Sequence, residues 1–592
     1  MADMVVYSIN GPVVKVRVAQ GGTVTLALLD MVYVGSNRLI GEVIAVNDTE
    51  ATIQVYEATT GLSPGEAVTS SGGPQKAMLG PGLLSNIFDG IQRPLRDMIS
   101  THGLFVAVGG HFSPLSPTAL WQVTPLVSPG DQVTPGMVFA TCPETALIEH
   151  RSLVPPGISG TVLQVAAAGR YTINDPIVIV RDTRQVEHQL SLAQQWPIRQ
   201  SRPVRKRLPL SRPLITGLRV IDTLFSLAKG GTAAIPGGFG TGKTMTQHQL
   251  AKYCDADVII YIGCGERGNE MTQVLQEFAE LIDPHTQRPL TDRTLLIANT
   301  SNMPVAAREA SIYTGITLAE YYRDMGYHVA MLADSTSRWA EALREISGRL
   351  EEMPAEEGFP AYLPSRIAQF YERAGEVTTL GGSTGSISIV GAVSPQGADF
   401  SEPVTQNTKR YVRCFWALDK ELAYARHYPA INWTDSYSEY LEDLQRYYSR
   451  QVDRSFTECR NRLASILQEE SRLMETVKLV GADVLPDDQR LVIEVARIIR
   501  VGFLQQNAFH PQDSFVPLTK QLKMMEVILL FDALARNAVR QRIPLSQIMK
   551  SGLPEQIIRM KYEIANDEPE RFDTYLEDIR TFFTKLTLDS LP

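Results

Sequence analysis

The chain has 592 residues, of which 44% are hydrophobic and 20% charged, and its formal net charge is −9 at pH 7. This length is typical of several domains, and the composition is that of a globular protein rather than a disordered one. The acidic balance argues against a large nucleic-acid-binding face, so no nucleic-acid partner is expected.

Neither cysteine nor histidine usage indicates a metal or disulfide framework. The five cysteines and nine histidines include no C-x-x-C pair and no H-E-x-x-H motif, which fits a reducing compartment. The start of the chain, Met1 to Val5, lacks the charged and apolar regions of a signal peptide. Because no apolar run approaches the roughly 20 residues of a membrane-spanning helix, we expect a cytoplasmic protein whose role at any membrane is peripheral.

The N-terminal region carries the signature of a small β-barrel. Short alternating runs such as Val13–Val18 and Thr52–Tyr56 are separated by glycine turns, for example at Gly21–Gly22. Many short strands at this spacing predict a barrel over residues 1–72. Residues 73–104 are assigned to a connector.

A second β-rich block follows over residues 105–190. Proline–glycine turns at Ser128–Asp131 and Val154–Gly157 separate strand patterns such as Gly160–Val165. The block contains no catalytic constellation, and we interpret it as an inserted β module.

Strand and helix patterns alternate over residues 191–437, which predicts a parallel sheet covered by helices. Ligands bind such sheets at the carboxyl ends of the strands. The apolar strand candidates are Thr232–Ile235, Val258–Ile262, Leu295–Ala298, Val329–Ala333 and Ser386–Val390.

Residues 438–592 carry helical periodicity and no strand pattern, which predicts an all-α domain. The predicted helices are Tyr440–Ile466, Asp488–Phe503, Leu522–Gln541 and Ile557–Leu586.

A glycine-rich loop follows the first strand of the α/β region. Gly237, Gly242, Lys243 and Thr244 fit G-x-x-x-x-G-K-[ST], the phosphate-binding loop (Walker A) of nucleoside triphosphatases. Glycines let backbone N–H groups surround a phosphate, and the helix that follows adds its N-terminal partial positive charge. Lys243 would contact the β- and γ-phosphates, and the Thr244 hydroxyl would hold Mg²⁺. The predicted phosphate-site residues are Gly237, Gly238, Phe239, Gly240, Thr241, Gly242, Lys243, Thr244 and Met245.

Two further strand ends carry acidic side chains. Glu266 and Arg267 leave the second strand, and a carboxylate there can orient and polarise the water that attacks the γ-phosphate. Arg267 would order that carboxylate or meet phosphate charge. Asp334 ends the fourth strand, as in a Walker B pattern in which the aspartate holds Mg²⁺. The plain alternative for both carboxylates is a helix cap.

Several motifs together resemble the catalytic A subunit of V-type and A-type rotary ATPases. They are GGFGTGKT at 237–244, GERGNE at 265–270, ANTSNMPVAAR at 298–308, ADSTSRWAEALR at 333–344 and FSEPVTQ at 400–406. The similarity runs through nearly the whole chain. It also accounts for the β insertion, because this family carries an extra module that the F-type β subunit lacks.

The resemblance implies an N-terminal β-barrel, the inserted module, a RecA-like nucleotide domain and a helical C-terminal domain. It implies ATP hydrolysis or synthesis coupled to H⁺ or Na⁺ transport, with Glu266, Lys243 and Arg267 as catalytic residues and with Thr244 and Asp334 as metal ligands. It also places an aromatic pocket for adenine at Tyr428, Ala508 and Phe509, and the alternative is that those rings belong to the core.

The resemblance further implies an assembly. Three such chains alternate with three non-catalytic B subunits, each of which supplies an arginine finger to a neighbouring site. The ring joins central and peripheral stalks to a membrane ion-translocating sector, with this chain peripheral on the cytoplasmic face.

Other functions remain open from sequence alone. An export-type hexameric ATPase is disfavoured by the block at 105–190, which that family lacks. A non-catalytic nucleotide-binding scaffold is disfavoured because Lys243 and Glu266 are both present. A nucleic-acid translocase is disfavoured by the acidic charge.

Overall fold

The structure is a computed structural model and describes residues 4–18, 24–102, 112–284, 286–481 and 484–589. The predicted turn at Gly21–Gly22 and the predicted start of the β module, residues 105–111, lie outside these residues. The chain forms two compact units. The first comprises Met1–Pro209, Gly230–Thr232 and Ala256–Tyr411, and the second Leu210–Lys229, Ala233–Asp255 and Val412–Pro592.

The first unit begins with a closed six-stranded barrel of order β1-β2-β5-β4-β3-β6. Along β2 the side chains of Val14 and Val16 point into the barrel core while Lys15 and Arg17 are exposed, as period-two alternation requires. The predicted barrel is confirmed. Its strands are β1 (Met4–Asn10), β2 (Val13–Val18), β3 (Asp30–Val34), β4 (Leu39–Val46), β5 (Glu50–Val55) and β6 (Ala67–Pro74).

The inserted module is built from two four-stranded antiparallel sheets, of order β10-β13-β15-β16 and β12-β11-β9-β14. Val123, Phe139, Val162 and Val180 are buried in its core. Its strands are β9 (Trp121–Pro125), β10 (Gln132–Val133), β11 (Val138–Pro143), β12 (Glu149–Leu153), β13 (Gly160–Val165), β14 (Gly169–Tyr171), β15 (Val178–Asp182) and β16 (Glu187–Leu190).

Short elements flank the module within the same unit. In the sequence before it lie β7 (Lys76–Leu79), β8 (Ile87–Phe88) and α1 (Leu95–His102), and after it come β17 (Gln194–Pro197) and β18 (Lys206–Leu208). Strands β7 and β17 pair with each other in an antiparallel ladder.

The first unit also contains a parallel sheet of order β24-β22-β20-β21-β8, with β23 and β18 added antiparallel beside β24. Its strands, β8 and β18 apart, are β20 (Val258–Glu266), β21 (Thr294–Thr300), β22 (His328–Asp334), β23 (Gly375–Thr378) and β24 (Thr384–Val393). Its helices, α1 apart, are α3 (Gly268–Glu280), α4 (Val305–Asp324), α5 (Thr336–Arg349), α6 (Leu363–Tyr371) and α7 (Pro403–Tyr411). The predicted α/β class is confirmed.

Buried polar contacts fix the module against α4. The Glu144 carboxylate accepts from the backbone N–H groups of residues 82–84 and from the Tyr322 hydroxyl at 2.9 Å. His150 Nε2 lies 2.9 Å from the hydroxyl of Tyr321. The fully buried side chains of His150, Tyr321 and Tyr322 are tolerated here because each has a polar partner.

The second unit contains the strands β19 (Thr232–Pro236), of which Ala233 onward belongs to this unit, β25 (Cys414–Phe415) and β26 (Tyr437–Ser438). β19 is parallel to β25, which is antiparallel to β26. Its helices are α2 (Lys243–Tyr253), α8 (Lys420–Tyr424), α9 (Leu441–Gln451), α10 (Phe456–Val480), α11 (Asp487–Ile498), α12 (Leu518–Arg540), α13 (Leu545–Met549), α14 (Leu553–Glu563) and α15 (Phe572–Asp589). Between residues 439 and 589 the described residues form no strand, so the predicted helical C-terminal domain is confirmed. Within the described ranges, no helix combines the length and apolarity needed to cross a membrane.

Candidate nucleotide-binding site

The glycine-rich loop of the second unit joins the buried strand β19 to helix α2. Two of its glycines have left-handed backbone conformations, with φ of +78° at Gly240 and +90° at Gly242, which side chains other than hydrogen disfavour. At Gly237 a Cβ atom would lie 2.6 Å from the Thr241 hydroxyl. A side chain at any of these three positions would therefore strain the loop.

The positively charged side chain of the loop is Lys243, the first residue of α2. Lys243 Nζ donates to the carbonyl oxygens of Gly237 at 2.8 Å and Gly238 at 3.0 Å, while Thr241 Oγ1 donates to Gly238 O at 2.8 Å. Thr244 is the second residue of the helix. An ammonium group and a helix N-terminus at one loop make a site for anionic oxygen atoms.

The predicted adenine-pocket segments lie in the same unit as the loop. A Cβ atom on Gly242 would lie 3.7 Å from the Tyr428 ring, and the Gln506 N–H donates to Tyr428 O at 2.7 Å. Phe509 is 87% exposed and Tyr428 44% exposed. The structure therefore places Tyr428 beside the phosphate loop and connects it to the segment that carries Ala508 and Phe509. Two such exposed rings are not core packing.

Glu266 ends β20 at a bulge in the first unit. The pairing with β21 shifts register between Cys264 and Glu266, and Gly265 has a φ of +74°. A Cβ atom at Gly265 would lie 2.5 Å from Arg338 Cβ. The bulge therefore requires glycine, and it aims the following carboxylate away from the regular alternation of the strand.

Asp334, the last residue of β22, is buried, and its carboxylate lies 3.4 Å from the Tyr261 hydroxyl. Burial, followed by the negative charge of Asp334, raises the pKa of Glu266 to about 8. Burial and the same charge also raise the pKa of Tyr261 well above its usual value. The Asp334–Ser335 peptide bond is cis. These two strand ends thus bring two acidic groups together, and a bound cation would favour their ionised forms.

Two residues that the sequence reasoning missed lie beside Glu266. Glu270, on the first turn of α3, shares a hydrogen bond with it, and the charge of Arg338 on α5 opposes the rise in its pKa. Arg338 also pairs with Glu341 at 2.8 Å. Arg338 lies four residues after Asp334 in the same sequence motif, and this position could have indicated that it lies near the site. Arg267 itself is exposed at the start of α3.

The oxygen donors fit Mg²⁺ in type. Asp334 offers a buried carboxylate and Thr244 a hydroxyl, and Mg²⁺ prefers such hard oxygen ligands. Among the described residues, no three acidic, histidine or cysteine side chains cluster closely enough to hold a metal alone. Mg²⁺ that binds with a nucleotide takes one or two protein carboxylates and keeps phosphate and water oxygens in the rest of its shell.

The predicted site residues thus fall into two groups. The second unit brings together the phosphate loop, Tyr428 and the 505–509 segment, and the first unit brings together Glu266 and Asp334. That both groups serve one nucleotide stays a prediction.

Comparisons with known proteins define the class. Residues 217–438 match the ATP synthase alpha/beta family, nucleotide-binding domain, and residues 6–72 match the beta-barrel domain of that family. Residues 112–199 match the alpha/beta subunit barrel-sandwich domain, and residues 445–549 match the C-terminal domain of V and A type ATP synthase. The fold and the phosphate loop thus belong to a nucleotide-binding subunit of an ATP synthase.

The relatives define the family within that class. The chain is 57% identical to the V-type ATP synthase alpha chain of Halothermothrix orenii, covering 98% of each chain. It is 56% identical to the A subunit of the A-type ATP synthase of Methanopyrus kandleri, covering 95% of each. The chain belongs to the family of V-type ATP synthase alpha chains and A-type ATP synthase A subunits. The predicted family is confirmed, and so is its preference over an export-type ATPase.

A solved structure shares the fold at low identity. The ATPase EscN of the type III secretion system of enteropathogenic E. coli superposes with a TM-score of 0.63 at 20% identity, covering 89% of this chain and all of that one. At this identity the likeness concerns the fold alone. Family membership makes the chain a nucleotide-binding enzyme subunit of a larger complex.

Proposed function

We propose that this chain is the catalytic subunit of a V/A-type rotary ATPase and ATP synthase, which hydrolyses or makes ATP and couples this to H⁺ or Na⁺ transport. The observation that carries the proposal is the phosphate loop, with Lys243 on its carbonyl oxygens at the start of α2, in a member of this family.

The loop and Lys243 bind the triphosphate. Backbone N–H groups of the loop and of the N-terminus of α2 donate to the phosphate oxygens, and the Lys243 ammonium exchanges its carbonyl partners for β- and γ-phosphate oxygens. Thr244 and Asp334 would hold Mg²⁺, which would supply charge neutralisation at the phosphates.

Glu266 orients and polarises the attacking water in the direction of hydrolysis. Glu266 is half-buried and follows a bulge in the backbone, and catalysis by positioning needs the carboxylate to be held at such a defined place. Arg267 orders that carboxylate or meets phosphate charge.

Tyr428, Ala508 and Phe509 hold the adenine base. The exposed rings of Tyr428 and Phe509 offer π faces on which a base stacks. The neighbourhood of Tyr428 and Gly242 supports a base site next to the phosphate loop.

The catalytic site is completed by a partner. A non-catalytic B subunit supplies an arginine finger that stabilises transition-state charge, and three copies of each chain alternate in a ring. Central and peripheral stalks join this ring to the membrane ion-translocating sector, with this chain peripheral on the cytoplasmic face.

The test is ATP hydrolysis by the full chain alone and after assembly with its B-type partner. We expect poor turnover alone and a gain of at least about 1,000-fold on assembly, the value of an arginine finger. Assembly with a partner whose candidate finger arginine is changed to alanine is the control. Robust turnover by the monomeric chain would contradict the shared site.

A further inference from the structure

The segment of residues 505–509 is neither helix nor strand. It follows the π-helical turn Ile499–Leu504 and precedes α12. Backbone polar groups in such a segment need partners from elsewhere. Here buried side chains from distant parts of the second unit supply them.

Arg219 is the first of these side chains, and its guanidinium is fully buried. Nε donates to Phe503 O, Nη2 donates to Gln505 O at 2.8 Å, and Nη1 pairs with the Asp513 carboxylate at 2.5 Å. The backbone N–H of Arg219 also donates to Gln506 Oε1 at 2.9 Å. A planar guanidinium can hold three acceptors in fixed directions, which a flexible chain end cannot.

Asp513 extends these contacts to the next part of the segment. Its second carboxylate oxygen accepts from the Asn507 N–H at 2.7 Å, two residues before Phe509. The preceding N–H, of Gln506, donates to Tyr428 O at 2.7 Å. The two rings proposed to face the base are therefore joined by one short run of fixed backbone.

Lys561 on α14 is the second buried cation. Its Nζ donates to Val501 O at 2.6 Å and to Gln505 O at 2.9 Å, so Gln505 O accepts from both Arg219 and Lys561. Burial, followed by the positive charge of Arg219, lowers the pKa of Lys561 to about 8, and the charge of Asp513 opposes this change.

We propose that Arg219 and Lys561 are positioning residues of the nucleotide site, which hold the 505–509 segment in the conformation that receives the adenine base. The inference rests on the proposed function, because it assumes that Tyr428 and Phe509 face the base. A segment ordered before the ligand arrives loses less conformational freedom on binding, so its order contributes directly to affinity.

The test compares Lys561→Met with Lys520→Met in the assembled complex. Lys520 is an equally buried lysine whose pKa burial also lowers to about 8. It donates to carbonyl oxygens of Gln512, Lys561 and Ile564 and to the Asn566 side chain, none of them in residues 501–509. The two variants therefore remove comparable buried cations, but only one of them touches the segment.

We expect Lys561→Met to raise KM for Mg-ATP about tenfold with kcat nearly unchanged, and Lys520→Met to leave KM unchanged. The inhibition constant of Mg-tripolyphosphate, which has no base, should stay the same in both variants. An equal rise in KM for both variants, or a parallel loss of tripolyphosphate affinity, would overturn the proposal.

Two further variants test the positioning role and the base site independently, in case Lys561→Met does not fold. Asp513→Asn keeps one oxygen acceptor for Arg219 but replaces the oxygen that accepts from the Asn507 N–H with an NH₂ group. It should therefore raise KM for Mg-ATP and leave the inhibition constant of Mg-tripolyphosphate unchanged. Phe509→Ala tests the base site itself. A rise in KM for Phe509→Ala alone overturns the positioning role, whereas no rise for Phe509→Ala overturns the base site and the inference with it.

Discussion

Lys243 forms hydrogen bonds of 2.8 and 3.0 Å to two carbonyl oxygens of its own loop. Charged phosphate oxygens are stronger acceptors for an ammonium group than neutral carbonyl oxygens are. We therefore expect Lys243→Met to lower the affinity for Mg-ATP on the order of 100-fold, the effect of losing charge-assisted hydrogen bonds. Equilibrium binding of Mg-ATP to the assembled complex measures this change.

Lys252→Met, at the other end of the same helix, is the matched control. It should leave the affinity within about twofold, since no phosphate contact is proposed there. Equal losses for both variants would mean that helix stability, not phosphate binding, governs the result.

His150 makes the stability of the first unit sensitive to acid. Burial lowers the pKa of its imidazole to about 3, whereas a histidine in the unfolded chain takes up a proton near pH 6.5. The unfolded state therefore binds more protons between about pH 3 and 6.5, and stability falls as the pH drops through this window. The contribution is up to about 1.4 kcal/mol per pH unit.

We expect His150→Gln to flatten the fall in thermal unfolding midpoint between pH 6.5 and 4.5. Gln122→Ala, at an exposed position on β9 of the same module, removes no titratable group and should keep the wild-type slope. An unchanged slope in His150→Gln would show that the imidazole is not the group that responds.

The apolar strands were the elements most readily predicted from sequence. The five predicted strands of the α/β region all lie within β19, β20, β21, β22 and β24. Continuous burial on both faces explains this, because such strands read as uninterrupted apolar runs. Strand β20 continues past its predicted end, through the bulge at Gly265, to Glu266. This continuation depends on the backbone conformation of a glycine, which a hydropathy pattern does not show.

Two of the long helices predicted from sequence are each interrupted by a break that the sequence pattern does not show. The predicted helix Tyr440–Ile466 is two helices separated at residues 452–455, where the Asp453 carboxylate accepts from Ser455 N–H and Oγ. The predicted helix Ile557–Leu586 breaks between α14 and α15, near Pro569. A local side-chain cap and a proline interrupt the backbone ladder without disturbing the apolar period.

The bulge that ends β20 makes a prediction about Gly265. Gly265→Ala puts a methyl group 2.5 Å from Arg338 Cβ at a φ of +74°, which shifts Glu266 and Arg338 together. We expect at least about a tenfold loss of kcat, since small misplacements of reacting groups cost about that or more. Gly268→Ala is the control, because nothing lies within 4 Å of its added Cβ, and it should keep near-wild-type turnover in the same assay.

Across the whole chain, the predicted site residues lie in local sequence motifs, whereas the contacts that support them join distant parts of the sequence. Lys243, Glu266 and Asp334 lie in local motifs whose spacing reveals them. Arg219 and Asp513 are 294 positions apart in sequence, and their pairing arises only when the second unit folds. No local pattern encodes such a contact, so the structure was needed to find it.

Nucleotide binding is proposed to depend on the phosphate loop and Tyr428, and hydrolysis on Glu266. The two functions should therefore separate under a single substitution.

The most direct measurement is Mg-ATP binding and turnover by the assembled complex carrying Glu266→Gln. The amide cannot act as a base, so we predict that turnover falls at least about 100-fold, while the affinity for Mg-ATP stays within about threefold of the wild type. Glu280→Gln, at the exposed end of α3, should leave both quantities unchanged. Unchanged turnover in Glu266→Gln would contradict the assigned role of this carboxylate.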